Sequence, residues 1–460
     1  MKAPLAAACA AACLLTNTAC VKYQARVLQP AQIEAKLRAR SLNAEGLAEF
    51  VRVQTGKPDL AWPPSKFEPE TLTAIAWFFS SDLEVARAKA ETAAAAIITA
   101  RQRINPSLAG DGGRNKTPDS ISTYSFSPAF TIETAGKRGL RILEAEKNAE
   151  AARIGVYEAA WAVRTRVRSA LSAYLVAQRR LGAAQQEEAL RTEVEDIFRK
   201  RLELGEGSRP ELTQATSEHA VASTALRGAE GEVARALAEV SAAVGLPIEL
   251  PIEAGSLTTF DSATAQKAGL QHRADIRRSL VAYEAVDTRL RMAIANQYPN
   301  ITLTPGYQYQ EGFAQYTLGT LLEGIPVLNR NQGPIAEQVA ARKQAEAEFV
   351  ALQARVLAEA ASATVRYQTA LTEWKSAAET RQAVSQAKEA AAATALQKGD
   401  GSRLDVTLAR LETTSLRRTE DDAFEKLQAA LGAVEDAMQT PVWAAIPAPP
   451  RLETRAEKTK

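Results

Sequence analysis

With 460 residues, 46% of them hydrophobic and 24% charged, the chain is long enough to bury a core and to form more than one domain. A net charge of +2 gives no long basic surface, so nucleic acid is not an expected partner. The two histidines, His219 and His272, have no helically spaced second ligand, and the three cysteines, Cys9, Cys13 and Cys20, crowd the N-terminus. A His/Cys metal centre is therefore hard to build, no cofactor is called for, and no catalytic constellation points to an enzyme.

Taken in order, the chain opens with Lys2 and an apolar run over residues 3–15, too short for a stable helical span but suited to an export signal over 1–19. Thr18-Ala19-Cys20 resembles the end of a bacterial lipoprotein signal, which makes Cys20 the expected lipidation site; Asn17 stands where leucine is usual. No later segment is apolar for about 18 residues, so any membrane crossing must use strands. Residues 20–68 form an N-terminal segment with one amphipathic helix, roughly 31–53, followed by a proline-rich link. Two further segments, 69–250 and 251–440, read as repeats, and a Pro- and charge-rich tail, 441–460, is expected to be disordered.

Prolines delimit the helices. None falls between Pro69 and Pro106, Pro128 and Pro210, Pro210 and Pro247, Pro251 and Pro299, or Pro334 and Pro441. The helix expected over 137–204 is about 100 Å long at 1.5 Å per residue, so it needs partners along its length. Val356, Ala360, Ala363, Tyr367, Ala370 and Trp374 step by four and three, a coiled-coil seam. The pattern leaves open whether that seam packs within the chain or also against other copies.

Two turns share one pattern. Leu204-Gly205-Glu206-Gly207-Ser208-Arg209-Pro210-Glu211 returns as Lys398-Gly399-Asp400-Gly401-Ser402-Arg403-Leu404-Asp405. Glycine ends one helix in the left-handed region; Ser208 or Ser402 then caps the next, with Glu211 or Asp405 reaching back from its third position. Two sharp helical hairpins follow from this pattern.

Between the rods the period changes to two. Ile301, Leu303, Pro305, Tyr307 and Tyr309 alternate with Thr302, Thr304, Gly306, Gln308 and Gln310, and Tyr316 and Leu318 alternate with Thr317 and Gly319 on the return. In the first half, Tyr124, Phe126, Phe130 and Ile132 alternate with Thr123, Ser125, Thr131 and Glu133. Residues 109–119, where a partner strand is needed, read mostly as loop. Asp82-Leu83 and Asp275-Ile276 mark corresponding points of the halves, as do Asn105-Pro106 and Tyr298-Pro299. Each half thus reads helix, strand pair, long helix, sharp turn, returning helix.

In this order, the doubled Gly-x-Gly-Ser-Arg turn, Arg273-Ala274-Asp275-Ile276 and Tyr298-Pro299 resemble the outer-membrane factor (TolC-like) family of efflux channels. The segments Glu133-Thr134-Ala135-Gly136-Lys137-Arg138 and Ile325-Pro326-Val327-Leu328-Asn329-Arg330-Asn331-Gln332-Gly333 look like its heavy-metal, CzcC-like branch. The resemblance implies a mainly α chain with a small β part. Tandem helical hairpins would form a periplasmic α-barrel, and four strands per chain would enter a shared trimeric 12-stranded β-barrel in outer-membrane lipid. It further implies a homotrimer acting with a periplasmic adaptor protein and an inner-membrane efflux transporter. The docking turns would then carry Gly205, Gly207, Ser208, Arg209, Glu211, Gly399, Gly401, Ser402, Arg403 and Asp405. Asp400 and Glu206 are the candidate gate. Lys137, Arg138, Arg141 and Arg330 read as ordinary interfacial charge where strands meet helices.

The expected function is a passive export duct, with heavy-metal cations as one cargo class. Two rivals remain at this stage, a periplasmic adaptor and a structural coiled-coil protein of the envelope. An adaptor carries one hairpin inside a split domain of short strands, whereas this pattern has two hairpins; the tyrosine-rich strands speak against a plain coiled coil.

Overall fold

The structure, a computed structural model, describes residues 21, 23–114, 122–249, 251–252, 273–310 and 313–441. The export signal 1–19, Cys20, His272 and nearly all of the tail 441–460 lie outside the described residues. The chain divides into two compact units, residues 1–44 and 45–460. The first contains α1 (Pro30–Arg38), which starts on its proline and carries a Glu34–Arg38 ion pair one turn apart at 2.7 Å. The second begins with α2 (Leu47–Thr55), bounded by Gly46 and Gly56 at φ 77° and 64°. The single helix expected over 31–53 is thus two helices, because the chain between them turns and Gly46 sits in the left-handed region.

The first repeat starts with α3 (Pro69–Phe79) and α4 (Ser81–Arg101). Ser80 separates them in an extended conformation, its hydroxyl accepting from Leu83 N at 3.2 Å. Strands β1 (Ser107–Arg114) and β2 (Ser122–Ile132) follow, then α5 (Lys137–Glu203) and α6 (Arg209–Val244). Where the sequence reads mostly loop, β1 forms a full strand paired from Ser107–Ala129 to Arg114–Ser122. The second repeat has α7 (Ala274–Ala295), β3 (Asn300–Gln310), β4 (Phe313–Glu323), α8 (Gln332–Val384), a π-turn (Ser385–Glu389), α9 (Ala390–Lys398) and α10 (Arg403–Met438). Its segments of 53, 5 and 9 residues span the same length as the unbroken 67-residue α5, and both returning helices have 36 residues. The two repeats are alike in architecture, and the π-turn distinguishes the second.

α5 is the central rod, packing against α4, α6, α7 and α10. The α8 seam packs within the chain: Ala360, Ala363, Tyr367 and Ala370 lie on Leu427, Leu431, Val434 and Met438 of α10, with Trp374 at the edge. Alanine on one side lets the two helices approach closely. Where α3 packs against α5, Trp77 is fully buried and donates to the Ala160 carbonyl at 2.9 Å. Among the described residues no helix is long and apolar enough to cross a membrane.

Candidate functional site at the hairpin turns and the sheet

The two hairpin turns are built alike, bond for bond. In the first, Gly205 N donates to Leu202 O at 3.1 Å and Glu206 N to Arg201 O at 2.8 Å; in the second, Gly399 N donates to Leu396 O at 3.2 Å and Asp400 N to Ala395 O at 3.0 Å. This nested pair satisfies carbonyls of the ending helix, with Gly205 and Gly399 at φ 77° and 81°. Ser208 Oγ accepts from Glu211 N while Glu211 accepts from Ser208 N at 2.9 Å; Ser402 and Asp405 repeat the capping box at 2.8 Å. The Ser208 backbone and hydroxyl hold the Glu211 carboxyl below its usual range, and the hydroxyl and backbone of Ser402 do the same for Asp405.

Gly207 and Gly401 have a different reason to be glycine. A Cβ at 207 would stand 3.0 Å from Leu202 N, and one at 401 would stand 2.9 Å from the Ala395 Cβ. Both therefore allow the turn to fold tightly on its own helix. The resemblance places these glycines on the docking turns; the geometry gives all four an internal role. Glu206, Asp400, Ser208, Ser402 and Arg209 are exposed at the tips. Sequence reasoning missed Leu204, a large apolar side chain at the first tip that is 75% exposed.

The two turns are held side by side. Arg403 Nε donates to Glu193 of α5 at 2.6 Å, and Leu190, Val194, Ala215 and Leu411 form an apolar cluster with Phe198 and Leu404 behind the turns. Farther along, α5 and α10 meet through ion pairs: Arg418 with Glu187, Arg179 with Asp421 at 2.6 Å, Arg168 with Asp436 at 2.7 Å, and the fully buried Arg164 with Glu435. Between α5 and α6, His219 Nδ1 lies 2.6 Å from Glu195, and its Nε2 lies 3.3 Å from Glu188. The Glu195 hydrogen bond raises the His219 pKa above its ordinary value. Among the described residues no group of three or more His, Cys, Asp or Glu is arranged to hold a metal ion.

At the other end of the unit, the four strands form one antiparallel sheet in the order β1-β2-β3-β4. The register puts Tyr124, Phe126, Phe130, Ile132, Ile301, Leu303, Tyr307, Tyr309, Tyr316, Leu318 and Leu322 on one face, because directly opposed residues share a face. Tyr124 stacks on Tyr309 at 5.0 Å, and Tyr307 meets Tyr316 edge-on at 5.4 Å. Many of these side chains are exposed, Tyr316 by 82% and Leu318 by 73%. Serine, threonine, glycine and glutamine dominate the other face, including Gln308 and Gln310; Leu321 and Phe313 depart from the pattern.

The junctions between strands and helices explain the basic residues there. Lys137 Nζ donates to Tyr298 O at 2.6 Å and to Asn300 Oδ1 at 2.8 Å. Arg138 and Arg141 donate to the last carbonyls of α4, those of Arg101 at 2.6 Å and Ala100 at 3.1 Å, and Arg141 also pairs with Glu133. Asn331, at φ 58°, donates to Ala293 O at 2.6 Å. Lys137 thus joins the two repeats where the sheet begins, while the other clamps tie elements within one repeat. Arg330 takes no part in the clamps by its side chain among the bonds described; its backbone N–H donates to Gln332.

Residues 79–246 match the family model described as outer membrane efflux protein, which spans the end of α3 through α6. A search of curated proteins by sequence finds no match. Among solved structures, the chain is similar to CusC, described for its folding and transmembrane channel formation, with a TM-score of 0.67 and 18% identity over 81% of this chain and 92% of that one. It is also similar to the outer membrane protein VceC of Vibrio cholerae, at 0.65 and 20% over 81% and 96% of the two chains. The open-state outer membrane channel MtrE of Neisseria gonorrhoeae matches at 0.64 and 16% over 81% and 89%. At these identities the likeness is one of fold: this chain, mostly helical with a four-stranded antiparallel sheet, has the fold of these channel proteins.

Proposed function

We propose that the chain is one subunit of an outer-membrane efflux channel, a passive duct from periplasm to exterior rather than an enzyme. The observation that carries this reading is the sheet: two open edges, one exposed apolar face with a tyrosine cluster, and one polar face, at the end of long helices. Strands of 11 residues suit a bilayer crossing. An 11-residue edge presents about ten unpaired backbone groups, and leaving them in hydrocarbon costs on the order of 20 kcal/mol. Closure by further copies removes that cost, and three copies make a 12-stranded barrel.

Under the same reading, the hairpin turns dock a periplasmic adaptor protein fed by an inner-membrane transporter, and Asp400 and Glu206 sit at the entrance as its gate. Cys20 is the proposed acylation site, checked by mass spectrometry of the mature N-terminus. Heavy-metal cations are the cargo favoured by the likeness of the strand-to-helix segments to the CzcC-like branch. A strain lacking the channel tests that cargo by its sensitivity to zinc and cobalt salts compared with its sensitivity to drugs. The adaptor rival expects one hairpin inside a split domain, and two hairpins with one shared sheet argue against it.

Planar-bilayer recording of the detergent-extracted protein tests the proposal. Discrete conductance steps are expected; a preparation that inserts in lipid yet never conducts would contradict it. For docking, Leu204→Asp is the suitable probe because Leu204 is exposed, whereas a bulky residue at Gly401 distorts the turn itself. Loss of adaptor crosslinking with the oligomer intact is expected, and unchanged crosslinking removes the first tip from the docking surface.

A further inference from the structure

The pairing of β1, which only the structure brings to light, puts one charge into the polar face of the sheet. Asp111 is opposite Ser125, Ser125 opposite Gln308, and Gln308 opposite Gln315, so these four residues form one row across all four strands. The parity of the register sets them on the face of Thr131, Thr302, Thr304, Gly306 and Thr317, away from the tyrosines.

That row differs from those nearer the helices. Thr304 faces Gly319, and Gly306 faces Thr317 with the Ser127 hydroxyl close by, so short side chains line the sheet there. At the next row out the side chains become long, with Gln308 donating to Gln310 at 3.1 Å. The row lies eight residues along β3 from Asn300, roughly 26 Å from the strand–helix junction at 3.3 Å per residue. Asp111 is exposed and forms no ion pair among the described residues. The other charged strand residues lie outside this row: Arg114 ends β1, and Glu323 ends β4 beside Asn300.

We infer that Asp111 is a specificity-determining residue of the duct, one carboxylate per copy in a collar near the outer end of the barrel that favours cations over anions. This rests on the channel reading above. Closure of the sheet with its polar face inward repeats the row around the axis, bringing the carboxylates together beside glutamine amides in a narrowed section. A ring of like charges in a pore raises the local concentration of counter-ions, and salt screens it over about 10 Å at 0.1 M and about 3 Å at 1 M.

The test is the reversal potential of the full-length channel in planar bilayers under a potassium chloride gradient, for the wild type, Asp111→Asn and Asp111→Lys. At about 0.1 M salt, the potassium-to-chloride permeability ratio should fall at least about twofold in the asparagine variant and further in the lysine variant. The differences should shrink at about 1 M, which a merely structural role would not produce. Conducting variants with the wild-type ratio overturn the assignment of Asp111 while leaving the channel reading intact. Absence of conductance from the wild type overturns both.

Discussion

Arg403, the first residue of α10, donates its Nε to the Glu193 carboxylate on α5 at 2.6 Å, so the tip of the second hairpin is tied to the rod of the first. The Arg403 side chain is 76% exposed and Glu193 is 26% exposed. Exposed pairs contribute about 0–1 kcal/mol, so this contact sets position more than stability. Arg403→Glu should leave thermal stability nearly unchanged while increasing the conductance of the resting channel, and the exchange Arg403→Glu with Glu193→Arg should restore it. Equal resting conductance in all three proteins removes the tie from the entrance.

The two glycines of the second turn are required for different reasons. Gly399→Ala meets no atom within 4 Å, but must adopt φ 81°, at a cost of about 1–2 kcal/mol. Gly401→Ala must displace Ala395 from a 2.9 Å contact, at about 1–3 kcal/mol. Hydrogen exchange over residues 390–410 checks this: both variants should exchange faster there and normally at the first turn. Unchanged protection would show that neither requirement is real.

The turns were legible in the sequence because their signals are local: a glycine, a serine and an acid at fixed offsets dictate a stop and a cap whatever lies around them. The long helices were legible from their proline-free runs and strands β2 to β4 from their period. β1 was not, since Gly110, Asp111, Gly112 and Gly113 have poor strand propensity and become a strand only by pairing with Phe126, Ser125, Tyr124 and Thr123. Nor was the α5–α10 interface, whose partners, such as Arg179 and Asp421, are 242 residues apart. Charges there read as solvated faces until the fold opposes them. The function of Lys137, Arg138 and Arg141 as clamps on backbone carbonyls was hidden for the same reason.

The buried pair between Arg164 and Glu435 is the stability test of that interface. Both side chains are 0% exposed, and Arg168 Nη1 lies 3.3 Å from the second oxygen of Glu435. Gly432 makes room, since a Cβ there would come within 3.0 Å of Arg168 Nη2. Burial lowers the Arg164 pKa to about 9, which leaves it charged at neutral pH. Glu435→Gln removes the carboxylate charge facing the buried Arg164, while Arg168 keeps Asp436 at 2.7 Å, and should cost about 3–5 kcal/mol. The paired change Arg164→Met with Glu435→Leu should recover part of it. Denaturant unfolding of the extracted protein measures both; a loss under about 1 kcal/mol for Glu435→Gln contradicts the arrangement.

His219 gives the first hairpin a dependence on pH. Its pKa is raised from 6.5, first by the Glu195 hydrogen bond and then against burial by Glu188. Burial works to raise Glu195, but bonds from His219 and Thr216 and the charge of Arg199 outweigh it and leave its pKa lowered. Because His219 binds its proton more tightly folded than unfolded, its stabilisation is full below pH 6.5 and is lost as pH rises through the higher folded value. The Tm difference between wild type and His219→Gln should therefore narrow as pH increases from about 6 to 9. A difference independent of pH over that window would show that the imidazole does not titrate against Glu195.

Under the proposed function, the sheet cannot satisfy its own edges and is completed by copies of the same chain around an axis. Native mass spectrometry of the protein extracted from membranes in mild detergent tests it most directly. The account predicts a complex of three chains that resists dilution, while a single chain, stable and monodisperse without detergent, would contradict it.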